Sequence, residues 1–258
     1  MPPPAPIAPR VLAAVRSAAL DALAVLVPVT CVGCAAADRA VCGDCRLALL
    51  VTPRLVERPV LGAAWAGLEY SGRVANAIGA FKDGGRTDAA GALAGALGTA
   101  MAAALVGVPR GSVEVCTVPS TADAMRERGY APVELLLARR GIRSSRVLRL
   151  ARARSDQAGL GADGRRANAA GTLRARETLA GRRFLLVDDV LTTGSTLVEA
   201  RRALAAAGGS VAAIAVLAET PLRRSVGAAN ARDGLRDIAA QGGYGGRTGV
   251  VDPPFSPG

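Results

Sequence analysis

Two adjacent carboxylates followed by a run of hydroxyls carry the most specific chemistry in this chain. Residues 184–196 read Phe-Leu-Leu-Val-Asp-Asp-Val-Leu-Thr-Thr-Gly-Ser-Thr. The apolar residues predict a buried strand. Asp188 and Asp189 stand at its carboxyl end, where open α/β sheets bind their ligands. Val190, Leu191, Thr192, Thr193, Gly194, Ser195 and Thr196 then form a loop that opens a helix from Ser195. Backbone N–H groups, hydroxyls and a helix N-terminus are the parts of a cradle for a phosphate dianion. The two acids would repel a phosphate, but they can accept hydrogen bonds from neighbouring hydroxyls of the same ligand. A ribose 5-phosphate meets both demands.

A second constellation uses sulfur. Cys31, Cys34, Cys42 and Cys45 form two CxxC knuckles separated by seven residues. Knuckles at such spacing bring four thiolates to tetrahedral zinc distance. Gly33 and Gly43 suit the tight turns. The bland alternatives are free thiols or two redox pairs. Clustered, metal-ready cysteines agree with a reducing cytoplasm. The fifth cysteine, Cys116, lies in the apolar run 113–118 and is expected to be a buried strand residue.

The chain contains no histidine. That excludes Ser-His-Asp and Cys-His catalysis, HExxH zinc sites and imidazole proton transfer. The net charge is +11 over 258 residues, and its distribution is uneven. Residues 139–183 hold 13 arginines against 3 acids, whereas the stretches on either side are close to neutral. A local excess of this kind marks a site for a polyanion. All basic residues are arginine except Lys82.

The elements that must position these groups follow from periodicity. Leu12, Val15, Ala19, Leu23 and Leu26 recur at helical spacing, which predicts an amphipathic helix over 10–27 rather than a membrane span. The cysteine module covers 28–50. Strands are predicted over 62–70, 113–118, 145–150, 183–188 and 211–217, and helices over 73–82, 88–106, 122–138 and 195–207. Strands alternating with helices imply an α/β fold, a parallel sheet with helices on its faces, here spanning 62–220. Residues 1–9 and 221–258 are rich in Pro, Gly and Ala and are expected to be mobile or disordered.

Further segments make the pattern specific. The loop at 184–196 resembles the 5-phosphoribosyl-1-diphosphate (PRPP) motif of type I phosphoribosyltransferases. Ahead of it, in order, stand Cys31–Cys45, Ile78-Gly79-Ala80-Phe81-Lys82-Asp83-Gly84-Gly85-Arg86, Val118-Pro119, Arg126-Glu127-Arg128-Gly129-Tyr130, Gln157, Arg165 with Arg166, and Asn168. This order resembles the ComF family of competence-associated, phosphoribosyltransferase-like proteins over roughly residues 25–220. The chain differs from that pattern at Ser120-Thr121 and at Asp83. The resemblance implies a type I phosphoribosyltransferase-like sheet with an N-terminal zinc module. It implies that Asp188 and Asp189 serve the ribosyl centre and that Val190 to Thr196 bind PRPP. Lys82 and Arg126 or Arg128 would face the diphosphate, with Mg2+ bridging ligand oxygens. Gln157, Arg165 and Asn168 would belong to a flexible loop over the site.

Two functions are consistent with this reading. One is Mg2+-dependent phosphoribosyl transfer from PRPP to an acceptor that the residues do not identify. The other is a non-catalytic protein that handles nucleotides or single-stranded DNA during DNA uptake, with the basic stretch contacting phosphates. That stretch holds no aromatic residue for base stacking. The protein is expected in the cytoplasm, without membrane insertion.

Overall fold

A computed structural model describes residues 29–37, 39–50, 52–151 and 171–221. The expected helix over 10–27, the loop carrying Gln157, Arg165 and Asn168, and the tail from residue 222 onward lie outside the described residues.

The elements in chain order begin with α1 (Gly43–Ala48), β1 (Arg54–Arg58), β2 (Gly62–Glu69) and α2 (Gly72–Lys82). A 3-10 turn at Thr87–Ala89 leads into α3 (Ala90–Ala104), followed by β3 (Glu114–Thr117), α4 (Ala122–Arg128) and α5 (Pro132–Arg139). The chain continues through β4 (Leu148–Leu150), β5 (Leu173–Ala175), β6 (Arg183–Leu191), α6 (Ser195–Ala206) and β7 (Ser210–Glu219).

Five strands form the central sheet in the order β1-β2-β7-β6-β3. The pairs β2–β7, β7–β6 and β6–β3 are parallel, and only β1–β2 is antiparallel. Phe184, Leu185, Leu186 and Val187 of β6 are all fully buried. This is the continuous apolar run of a parallel strand covered on both faces. Their side chains alternate between two cores. Leu185 and Val187 join the first core with α2, α3, α5 and the cysteine module. Phe184 and Leu186 join the second with α6, Leu148 and Leu173. α3 approaches the sheet closely at Gly67, where a Cβ would stand 2.4 Å from the Ala96 carbonyl oxygen.

Four expectations need correction. The strand predicted over 145–150 does not enter the main sheet: β4 pairs antiparallel with β5 in a separate ribbon. That ribbon docks on α6, where buried Glu199 accepts from the Leu173 N–H at 3.0 Å and from Arg202 Nε at 2.6 Å. The single helix expected over 122–138 is two, because Gly129 adopts φ 74° and Pro132 starts a new helix. Strand β6 runs three residues past the predicted end at 188, so the two acids lie within it. Strand β1 was not expected at all. Its sequence, Arg-Leu-Val-Glu-Arg, is mostly polar because it sits at the sheet edge. Cys116 is fully buried on β3, as expected.

Candidate functional site

The parallel strands β6 and β3 direct their carboxyl ends toward one cavity of about 430 Å3. Asp188, Asp189 and Val190 line it from β6, together with Thr192 and Thr196 from the loop that follows. Val118 to Thr121 line it from the segment after β3, and Arg128 from α4. Lys82 enters from the last residue of α2. A larger hollow of about 550 Å3 lies between β5 and α6. It is more open and holds neither the paired acids nor the hydroxyl loop, so the smaller cavity is the functional candidate.

The acids are held by their own backbone. Asp188 Oδ1 accepts from the Asp189 N–H at 2.9 Å, and Asp189 Oδ1 accepts from the Val190 N–H at 2.6 Å. Lys82 Nζ stands 2.5 Å from Asp189 Oδ2. Burial, and then the neighbouring Asp189 charge, push the Asp188 carboxyl up to about 7. The Asp189 N–H and the Lys82 charge offset this only in part. The sole lysine of the chain and the carboxylate pair thus meet in one place, although they come from opposite halves of the sequence.

The hydroxyl loop has the form of an anion cradle. Gly194 takes φ 81° as the N-cap of α6, and the Val198 N–H bonds back to its carbonyl at 2.9 Å. Leu191, Gly194, Ser195 and Thr196 cup a small hollow of about 20 Å3 at the helix N-terminus. Among the described residues no acceptor takes the N–H of Thr193 or Gly194.

At the other side of the cavity Arg128 pairs with Asp83 at 3.0 Å, and its buried Nε has no hydrogen-bond partner among the described residues. A buried donor left unpaired points to a ligand that supplies the acceptor. Arg126 behaves differently: its side chain is 75% exposed, pairs with Asp123 and does not line the cavity. Tyr130 joins the two sides. Its hydroxyl donates to the Phe81 carbonyl, and its ring packs against Phe81 at 5.6 Å between centroids. It thereby braces the end of α2 that carries Lys82. The sequence marked Tyr130 only as part of a motif. Its packing role follows from contact with a residue on a distant helix.

The four N-terminal cysteines converge. Their sulfurs all lie within 4.8 Å of one another, with Cys34 and Cys42 at 3.6 Å. A tetrahedral zinc with bonds of about 2.3 Å sets its sulfurs about 3.8 Å apart, so these residues can hold that ion. The Cys42 N–H donates to Cys31 Sγ at 3.3 Å. Burial alone would raise the Cys31 thiol, yet the N–H groups of Cys42, Gly33 and Cys34 hold it down, to about 6. Burial and the other three sulfurs push Cys45 up. A Cβ on Gly33 would stand 2.7 Å from Cys45 Sγ, so that position demands glycine. The module packs on α2 through Cys31, Val32 and Cys45, and Asn76 Nδ2 donates to the Gly33 carbonyl at 3.0 Å. No described helix is long and apolar enough to cross a membrane.

A parallel α/β sheet with paired acids and a phosphate-cradle loop at its carboxyl edge is the architecture of a phosphoribosyl-binding protein. Residues 102–243, more than half of the chain, match the family described as the phosphoribosyl transferase domain. The chain belongs to that family. No curated protein matches it.

Proposed function

We propose that the protein binds PRPP in the 430 Å3 cavity and transfers its phosphoribosyl group to an acceptor. One observation carries the reading: the cavity that holds the carboxylate pair and Arg128 shares Asp188, Val190, Thr192 and Thr196 with the hollow at the helix N-terminus, and among the described residues Arg128 Nε and the Thr193 and Gly194 N–H groups have no partner. The 5-phosphate would enter the loop at Thr192–Thr196, and the ribose hydroxyls would bond to Asp188 and Asp189. The diphosphate would face Arg128 and Lys82. In the reaction the C1–O bond to diphosphate breaks and its electron pair leaves with the diphosphate. The acceptor's lone pair forms the new bond to C1, and the acceptor's proton passes to solvent. Arginine's forked donors suit the leaving group, and the carboxylates suit the positive charge that develops on the ribosyl ring.

The donor set is hard oxygen, which suits Mg2+. Lys82 already engages Asp189 Oδ2, so the acids alone form no cage, and the ligand's own oxygens would be the main donors. When bound, Mg2+ neutralises charge on the departing diphosphate. The test is diphosphate release from PRPP and Mg2+ with a panel of nucleobases and amines. Turnover by the wild type and its loss in Asp188→Asn and Asp189→Asn support the reading. Failure of the wild type to bind PRPP refutes it.

The four-cysteine cluster ahead of this domain favours the ComF-type assignment, with zinc on Cys31, Cys34, Cys42 and Cys45. Metal analysis should find about one zinc per chain, lost in Cys31→Ser/Cys34→Ser. A second reading, handling of single-stranded DNA in the cytoplasm during uptake, draws on the β4–β5 ribbon. Arg149 and Arg174 stand directly opposite each other there, both exposed. Like charges in that position repel unless an anion joins them. DNA affinity that falls steeply with salt and weakens in Arg149→Ala/Arg174→Ala would support this role.

A further inference from the structure

The β1–β2 hairpin contributes a buried cation that touches the phosphate loop from behind. Arg58, at the end of β1, is only 4% exposed. Its Nε donates to the Thr192 carbonyl at 2.8 Å, and Nη2 donates to the Thr220 carbonyl at 2.7 Å. Nη2 also pairs with Glu219 Oε2 at 2.8 Å, and Nη1 donates to its neighbour's carbonyl, that of Glu57, at 3.1 Å. Glu219 is itself 5% exposed and holds Arg54 as a second partner at 2.8 Å. The Thr220 N–H in turn bonds to the Leu191 carbonyl at 2.9 Å. The guanidinium therefore clamps both the end of β7 and the first turn of the loop.

We propose that Arg58 is a positioning residue for the 5-phosphate cradle, a role that rests on the PRPP-binding reading above. The reasoning starts from the peptide bond. The Thr192–Thr193 peptide is trans, so the Thr192 C=O and the Thr193 N–H point in opposite directions. Fixing the carbonyl on Arg58 aims the Thr193 N–H the opposite way, where no acceptor meets it among the described residues. Without this donor the carbonyl would lose its partner, and the peptide could turn to find another. A carbonyl turned toward the ligand would repel a phosphate dianion. Glu219 serves the same end by cancelling the Arg58 charge, so the guanidinium orients the peptide rather than attracting the ligand itself.

The test compares two ligands that occupy opposite ends of the cavity. Ribose 5-phosphate probes the cradle, and Mg2+-diphosphate probes the Arg128 and Lys82 end. Arg58→Met/Glu219→Leu removes both buried charges together, which avoids stranding either one. Arg58→Lys keeps the charge but loses the fork that reaches Thr192 and Thr220 at once. Both variants should bind ribose 5-phosphate about ten-fold more weakly, the worth of one well-made hydrogen bond, with diphosphate affinity unchanged by calorimetry. Equal weakening of both ligands would mean a merely structural ion pair and overturns the proposal. So does wild-type affinity for both. Should the double variant not fold, Arg58→Lys alone decides between these outcomes. A wild-type protein that binds diphosphate but neither PRPP nor ribose 5-phosphate instead refutes the parent reading.

Discussion

Replacing Gly194 with alanine tests the phosphate cradle through its backbone. Gly194 has φ 81°, a left-handed conformation that costs an L-residue about 1–2 kcal/mol. The new Cβ would stand 3.1 Å from Leu61 Cδ2, 3.2 Å from Leu191 Cδ1 and 3.3 Å from Leu61 Cβ. All three distances fall inside the optimum for carbon contacts, and overpacking of this kind adds about 1–3 kcal/mol. Together these give a destabilisation of about 3 kcal/mol, or about 9 °C in Tm for a domain of this size. Relief would come from moving Leu61 or rotating the loop, and either shift displaces the N–H groups of the cradle. Ribose 5-phosphate affinity should therefore fall at least about ten-fold. The matched control is Gly95→Ala, within α3, where a Cβ meets open space. There the same substitution should stabilise by about 1 kcal/mol, because alanine loses less entropy in a helix. Thermal melts and calorimetry read both variants. If Gly194→Ala melts within about 2 °C of wild type and binds ribose 5-phosphate normally, the reasoning fails.

Three further outcomes follow from the same structure. Asp188 carries a raised folded pKa of about 7, so ionising it costs stability that is intact below its ordinary value and lost as pH rises toward 7. Asp188→Asn should therefore raise the Tm of the ligand-free protein at pH 8 more than at pH 5 while removing PRPP binding; an unchanged or lowered Tm at pH 8 contradicts the assignment. Gly33→Ala should lower zinc content below that of wild type, because its Cβ would displace the Cys45 sulfur from 2.7 Å, and metal sites tolerate only about 0.2 Å of error. Zinc retention equal to wild type in a chelator competition would speak against that geometry. Hydrogen bonds from Arg182 and Ser145 hold Glu114 down at about 2 against an ordinary 4.5. The resulting stability is full above 4.5 and lost as pH falls toward 2. Glu114→Gln should be less stable at pH 7, by no more than about 1 kcal/mol for so exposed a pair, with the difference shrinking in melts at pH 3.

Much of the site was legible because its parts are contiguous. Strand, paired acids, hydroxyl loop and helix start occupy residues 184–196, so each step of backbone constrains the next. The cysteines are likewise close in sequence, and their knuckles bring the sulfurs together. The fold class followed from strands that alternate with helices. The β4–β5 ribbon did not, because Val147, Leu148 and Leu173 are buried whether they sit in the main sheet or against α6. The break at Gly129 is encoded by that glycine and by Pro132, but it was not read from the sequence. Helical periodicity on both sides hid it.

The sequence by itself determined the class of fold, the cradle and acids at one strand end, and the sulfur cluster. Short-range backbone geometry is enough to set each of them. Only the tertiary structure decided which cations serve the cavity. Lys82 reaches Asp189 because α2 packs on the core shared with β6, and Arg128 enters while Arg126 turns outward because residues two apart on α4 face opposite ways and the placement of α4 selects which face meets the cavity. The same holds for Arg58. Its strand is polar at a sheet edge, and its contact with Thr192 exists only because β7 lies between β2 and β6 and brings Glu219 to both. A charge finds its partner across the fold, and no pattern along the chain records that distance.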